Sequence, residues 1–412
     1  MTDKAMTEKK PMLSVAQALD FLLSAARPLT ETEIVSTLEA NGRVLAQAQR
    51  SLLHVPPMDN TQMDGYAVRA ADCVSGTAQL RVTQRIPAGH IGQALAAGTA
   101  ARIFTGAMIP DGADAVVMQE QCSLDGDIVT VAHAPKPGEW IRRQGEDIQS
   151  GATILPAGTR LRAQELGLAA SVGLATLPVV RKLRVAIFFT GDELAMPGEA
   201  LKPGAIYNSN RFTLTGLLQN MGCEITDYGI VPDNLQSTRD TLRLAAQTHD
   251  LIITSGGVSV GEEDHIRPAV EAEGRLNMWQ IAVKPGKPLA FGEVQSAFFL
   301  GLPGNPVSSF VTFLLFVRPF ILAMQGVTDI ATNIAPQSYR MRADFDWPKP
   351  DRRNEFLRVK LNQSDGLDLF TNQSSGVLTS TVWGDGLIDV AAGQAIAKGD
   401  LVRFIPFASL MS

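Results

Sequence analysis

The chain has 412 residues, enough for roughly two to four domains, and 45% of them are hydrophobic, enough for a large core. Its formal net charge is −6 and its pI about 5.5, which argues against a broad nucleic-acid surface but leaves room for a local basic site. The three cysteines, Cys73, Cys122 and Cys223, lie far apart without metal-ligand spacing and read as reduced core thiols of a cytoplasmic protein. The start, MTDKAMTEKK, lacks the apolar run of a signal peptide, and the longest apolar run, Phe310 to Val317, is broken by Arg318 and Pro319 before it can span a membrane.

In chain order, Ser14 and Gln17 form a capping-box pattern ahead of a helical stripe, Val15, Ala18, Leu19, Leu22 and Leu23. From about 56 to 145, short segments such as AQLRVTQRI, ARIFTG and DIVTVAHA alternate with Gly, Pro and Asp breaks, the pattern of a β-rich region. Residues 146–180 return to a Gly-punctuated hairpin, GATILPAGTRL, and a helix, AQELGLAASVG. We therefore expect an N-terminal unit of 1–55 plus 146–180 interrupted by an inserted β unit of 56–145. Residues 181–330 alternate strands and helices. Strand 183–189 leads to a helix over 209–221, with Ser209 as cap and Gly222 as stop. Strand EITDYGIV, a helix near 235–248, strand DLIITSGG and a helix near 265–273 follow. Strands IAVKPG and SAFFLGLPG then precede a long helix from Pro306. Alternation of this kind predicts a doubly wound, mostly parallel sheet. Residues 331–412 are again β-rich with no long helical stripe, in keeping with a small closing barrel or sandwich. The fold class is multidomain α/β and β.

Doubly wound sheets bind ligands beyond the carboxyl ends of their strands. Those ends carry TGDEL (Thr190, Gly191, Asp192, Glu193), VPDN (Asp233), TSGGVSVGEED (Ser255, Gly256, Gly257, Ser259, Gly261, Asp264) and GLPGNPVS (Pro303, Gly304, Asn305, Pro306, Ser308). The Gly-rich loop offers backbone N–H groups to a phosphate, but Glu262 and Glu263 stand where a P-loop needs Lys and Ser/Thr. Asn305 as cap and Pro306 as first helical residue mark a helix start, an anion-binding device, with Lys284 and Lys287 just upstream. Carboxylates beside a phosphate recruit Mg²⁺, which takes one or two of them, and Asp192, Glu193, Asp233 and Asp264 sit in these loops. The five histidines form no ligand pattern, and no Ser/His/Asp or Cys/His arrangement emerges. The set points to group transfer on a phosphorylated ligand.

Taken in order, MDGYA, FTGAMIPDGADAVV, RRQGEDI, TGDEL, TSGGVSVGE, KPGKPLAFG and GLPGNPVS resemble the molybdopterin molybdenumtransferases, the family of bacterial MoeA and the gephyrin E domain. The similarity runs from about residue 14 to 412, strongest up to 325. The resemblance implies a central molybdopterin-binding, MogA-like sheet and insertion of molybdate into adenylylated molybdopterin with release of AMP, assisted by Mg²⁺. It further implies a cytoplasmic homodimer with its site between subunits. Its expected partners are a molybdopterin adenylyltransferase and other molybdenum-cofactor pathway proteins, with no nucleic acid and no membrane. Carried over by motif, the catalytic positions are Asp64, Thr105, Asp147, Glu193, Asp233, Asp264 and Lys284. Lys287, Pro303, Pro306 and Ser308 join the binding set, with Arg358 and Ser375 closing it from the last domain. The chain departs from the family at Gln62 beside MDGYA, and at Gln280 after Trp279, where some members have Lys. A scaffold that binds without catalysis, and an adenylyltransferase or pyrophosphatase on the same sheet, stand as the alternatives.

Overall fold

The computed structural model describes residues 12–258, 265–328 and 334–411, apart from the side chains of Met278 and Trp279. At its centre is a six-stranded sheet in the order Glu224–Val231, Arg184–Thr190, Leu251–Ser255, Ala297–Leu302, Pro288–Val294, Gly274–Gln280. The first four strands pair in parallel and the last two antiparallel. The inner parallel strands Arg184–Thr190, Leu251–Ser255 and Ala297–Leu302 are buried almost throughout because helices cover both faces, while the edge strand Glu224–Val231 is more polar and more open. Val185, Ile187 and Phe189 point into a core shared with the helices Val15–Ala25, Ser209–Asn220 and Pro306–Met324. Ala186 and Phe188 point the other way, against Leu235–Ala246 and Ile266–Glu273. The period of two along one strand thus serves two helical layers.

Four details differ from the sequence expectation. Val283–Lys284 leaves the central sheet and pairs in parallel with Asn354–Glu355 of the C-terminal region. GATILPAGTRL is no hairpin. Thr153–Leu155 pairs with Gln49–Arg50 and Arg160 bridges Val44, because partners distant in sequence complete both arms. The helix expected to be capped by Ser209 is capped one residue earlier, by Asn208, whose Oδ1 accepts from the Arg211 N–H at 3.2 Å. The helix from Pro306 also runs past Arg318 and Pro319. It takes a π turn over Phe313–Val317, a local widening that absorbs the N–H missing at Pro319. The resulting 19-residue helix is long and apolar enough to cross a membrane, but 94% of its most apolar window is buried inside the molecule, so it is a core helix.

On the N-terminal side, Thr32–Ser36 pairs with Thr176–Val180, Gln49–Arg50 with Thr153–Leu155 and Asn60–Thr61 with Ile141–Arg142, all antiparallel. These nested pairs carry the chain out to a separate six-stranded sheet, which runs from Gly65–Val68 to Ile128–Val131 in sequence, and back again. At the other end, Tyr339–Ala343, Asn354–Leu361, Gly366–Leu369, Gly386–Val390 and Leu401–Pro406 close into a five-stranded barrel, since Asn354–Leu361 pairs with both Gly366–Leu369 and Gly386–Val390.

Two contacts organise the central unit. Phe320 meets Phe291 and Phe298 edge-on, at 5.5 and 5.0 Å between ring centroids. Phe320→Ala empties a fully buried site and is expected to destabilise the protein by about 3–5 kcal/mol, read from urea unfolding. The Asp250 carboxylate accepts from Arg181 Nη1 (2.7 Å), Arg181 Nη2 (2.9 Å) and the Arg184 N–H (2.9 Å), tying together the starts of two adjacent parallel strands. Burial raises the Asp250 pKa, but these donors outweigh it and hold it below the ordinary value. A depressed carboxylate pKa contributes stability that is present above the unfolded-state value of about 4 and is lost as pH falls through the folded-state value. Asp250→Asn is therefore expected to lower the unfolding midpoint at neutral pH and to converge with wild type in acid, checked by urea titrations between neutral pH and pH 3.

Candidate active site at the strand ends

The carboxyl ends of Arg184–Thr190, Leu251–Ser255 and Ala297–Leu302 open into a cleft of about 820 Å³ between the central sheet and the barrel. One side chain holds its floor together. Asn210, in the first turn of its helix, donates from Nδ2 to Ser255 Oγ (2.8 Å) and to the Gly304 carbonyl (2.7 Å), while Ser255 Oγ donates to the Pro303 carbonyl (2.9 Å). Thus the helix start, the middle strand and the LPGNP turn form one unit. Gly256 allows the strands to approach: its φ is +102° and an added Cβ would lie 2.5 Å from the Thr190 carbonyl. Among the described residues, Thr190 Oγ1 and Asn208 Nδ2 are buried in the lining with no hydrogen-bond partner, polar groups whose partner a bound ligand can supply.

The cleft has a cationic and an acidic side. Lys284, Lys287 and Arg353 line it together with the start of the helix at Pro306. In that first turn Pro306 has no N–H, Val307 donates to the Ser375 carbonyl (3.0 Å) and Ser309 to the Asn305 carbonyl (2.9 Å). The Ser308 N–H, on the cleft wall, has no protein acceptor among the described residues. Glu193 and Asp233 supply the carboxylates. Burial lowers the Lys284 pKa, but Glu355 and Asp351 overcome this and hold the ammonium above its ordinary value. The Lys284 ammonium therefore stays charged at neutral pH.

The chain matches three family models in succession: the MoeA N-terminal region (domain I and II) over residues 13–173, a probable molybdopterin binding domain over 186–323, and the MoeA C-terminal region (domain IV) over 340–407. It is 44% identical to a molybdopterin molybdenumtransferase of Haemophilus influenzae, covering 76% of this chain and 78% of that protein. It is 36% identical to the enzyme of that name from Nostoc sp., covering 96% of this chain and 92% of that one. The chain belongs to the molybdopterin molybdenumtransferase family. Its fold superposes on a MoeA protein crystal structure from Pyrococcus horikoshii with a TM-score of 0.83 at 29% identity, covering 96% of this chain and all of that one.

Against this family frame, most strand-end positions read from the sequence meet in the cleft. Thr190, Gly191 and Glu193 come from one loop, Ser255, Gly256 and Gly257 from the next, and Pro303, Gly304, Asn305, Pro306 and Ser308 from the third, with Asp233, Lys284, Lys287 and Ser375. Asp192 is exposed and does not line it. Ser259, Gly261 and Asp264 lie outside the described residues. Asn305 precedes the helix, but its exposed side chain makes no capping hydrogen bond, which leaves it available at the cleft mouth. Asp64, Thr105 and Asp147 do not line this cleft. Asp64 Oδ1 accepts from the Thr105 N–H (2.7 Å) and from Thr105 Oγ1 (2.8 Å), and this pairing lowers its pKa. Gln280 is likewise absent from the lining.

Arg358 requires correction. It is fully buried on the outer face of the barrel, beneath the 373–375 loop, and burial lowers its pKa to about 10. Its guanidinium donates to Ser380 Oγ (3.1 Å), the Ser374 carbonyl (3.2 Å) and the Phe356 carbonyl (3.4 Å). It therefore shapes the 373–375 loop from behind, and the arginine in the cleft is Arg353. Alternation along the strand Asn354–Leu361 puts Arg358 on the outer face, opposite to Leu357 and Val359, while Arg353 precedes the strand, and the barrel register is not readable from one sequence. Asn208, Asn210, Arg353, Gln373 and Ser374 were not anticipated. The NSN run before the helix at 209 was a signal for the first two, since asparagine favours helix starts.

Asn210→Ala removes both bonds that join the floor and leaves the Gly304 carbonyl without this donor. We expect a loss of about 1–3 kcal/mol in unfolding free energy, together with weaker ligand binding, measured by urea unfolding and by titration with molybdopterin.

Proposed function

We propose that this chain transfers molybdenum from molybdate to molybdopterin, using the adenylylated form of molybdopterin and releasing AMP. The observation that carries this reading is the pairing, in one cleft, of an oxyanion wall (Ser308, Lys284, Lys287, Arg353) with a carboxylate wall (Glu193, Asp233) over a Gly256–Gly257 turn. Molybdate is a tetrahedral dianion. Directed N–H, hydroxyl and ammonium donors suit it, and the dithiolene of molybdopterin provides the sulfur that a protein would otherwise supply with cysteines. The three cysteines of this chain are not in the cleft.

In the proposed mechanism the Gly256–Gly257 backbone and the floor held by Asn210 orient the phosphates. The ammonium groups of Lys284 and Lys287 and the Ser308 N–H hold the oxyanion near the dithiolene. Preorganised donors of this kind stabilise charge as it develops on the leaving phosphate. Mg²⁺ takes only one or two protein carboxylates and fills its other positions with phosphate oxygens and water. That donor economy fits the cleft: among the described residues no cluster of three His, Cys, Asp or Glu side chains forms a metal cage, and Asp233 is at the lining. Asp233, with Asp264, would hold the ion, which when bound would neutralise phosphate charge during cleavage of the bond to AMP.

Asp64, Thr105 and Asp147 belong to the family motifs yet lie away from the cleft of their own chain. A homodimer in which a second copy supplies them to the cleft accounts for this. Exposed apolar side chains at Ile206, Tyr207 and Phe212, near the cleft, favour the same arrangement. The cytoplasm, where an adenylyltransferase would hand over the substrate, is the proposed location.

The test incubates purified protein with adenylylated molybdopterin, Mg²⁺ and molybdate, and measures AMP and active cofactor. Molybdate-dependent AMP release is expected, and its absence from well-folded protein sinks the proposal. Asp233→Asn is expected to slow release by about 100-fold or more. Mixing inactive Asp64→Ala and Glu193→Ala proteins is expected to restore part of the activity, because a mixed dimer contains one intact site. Failure to do so rejects the shared-site arrangement.

A further inference from the structure

Lys284 reaches the cleft from the central unit, yet the groups that hold it come from the barrel. Its ammonium lies 2.9 Å from Glu355 and 3.3 Å from Asp351. Glu355 is only 1% exposed, an unusual place for a carboxylate unless its position is needed. Its Oε2 accepts from Trp347 Nε1 (3.0 Å) and from the Asp351 N–H (3.0 Å), so the side chain is anchored inside the barrel. Its Oε1 faces the ammonium as an ion pair outside hydrogen-bond alignment. The backbone enforces the same pairing, because Lys284 is directly opposite Glu355 in the parallel register. Asp351 divides its charge between Lys284 and the cleft arginine: Arg353 Nε donates to Oδ1 and Nη2 to Oδ2, each at 3.0 Å.

We propose that Glu355 and Asp351 are positioning residues that hold the Lys284 ammonium at the cleft wall for the oxyanion substrate. This rests on reading the cleft as the molybdate site. A lysine stem has four rotatable carbons and three donors. Left alone at 40% exposure, it samples many positions and must be ordered whenever substrate binds. Two carboxylates from a rigid barrel order it beforehand and leave a donor for the ligand. Lys284 and Arg353 carry two positive charges, and Asp351 and Glu355 two negative ones. This four-residue cluster is neutral in sum, so Lys284 and Arg353 meet the anion as directed donors, and Lys287 supplies the further positive charge of the wall. The barrel thereby becomes part of substrate recognition, although neither carboxylate needs to touch substrate.

The experiment measures molybdate dependence of AMP release in wild type, Glu355→Gln, Lys284→Met and the double variant. Glu355→Gln is expected to raise the molybdate KM by about tenfold while kcat changes less than about twofold, and to add nothing in the Lys284→Met background. If Glu355→Gln does not fold, Asp351→Asn, at a more open position, carries the same expectation. An unchanged or lowered KM, or a full additive effect on top of Lys284→Met, overturns the positioning role while the wild-type activity still supports the functional reading. A wild type whose AMP release does not respond to molybdate overturns the functional reading and this inference with it.

Discussion

The Asn210 amide ties Ser255, at the end of a buried parallel strand, to the Gly304 carbonyl of the LPGNP turn, and the rest of the cleft is arranged around that tie. Parallel strands deliver their carboxyl ends to one edge, so three loops reach the same place without specific design. Their mutual distances still need fixing, since each loop leaves its strand through a glycine-containing turn. Hydrogen bonds from one rigid helix start do this, and the close approach at Gly256 removes the space in which the loops would drift. Aromatic packing of Phe291, Phe298 and Phe320 holds the strands and the long helix from the other end.

The barrel completes what the sheet begins. Its 373–375 loop is held from behind by Arg358, and the Ser375 carbonyl takes the Val307 N–H of the sheet unit's helix. The strand pairing at Lys284 joins the two units a second time. Both junctions sit at the cleft, so the contacts that join barrel to sheet also build the oxyanion wall. A buried guanidinium such as Arg358 is tolerable because the Phe356 and Ser374 carbonyls and the Ser380 hydroxyl accept its hydrogen bonds.

Local pattern was informative where one element decides its own neighbours. Apolar runs such as RVAIFFT and LIITS became buried parallel strands, and the Leu235–Ala246 stripe became a helix, because periodicity and burial on a doubly covered sheet leave few alternatives. The pattern misled where a distant partner decides. GATILPAGTRL has the turn residues of a hairpin, but its arms pair with residues 44–50. Val283–Lys284 looks like another strand of the central sheet, yet it pairs with the barrel. Arg358 and Arg353 are five residues apart, and only the barrel register puts the first beneath the 373–375 loop and the second at the cleft.

The sequence alone determined the strand-end chemistry: the glycines that permit close approach, the acidic residues of GDEL and PDN, the lysines of KPGKP and the helix start at Pro306. These follow from side-chain chemistry and short-range spacing, which one chain carries in full. Tertiary structure decided which of these groups meet, that Asp64 and Thr105 bond to each other away from the cleft, and that Glu355 and Asp351 face Lys284. Those outcomes depend on strand register and on packing between units far apart in sequence, and long-range register is set by the summed burial of whole elements rather than by any local run of residues.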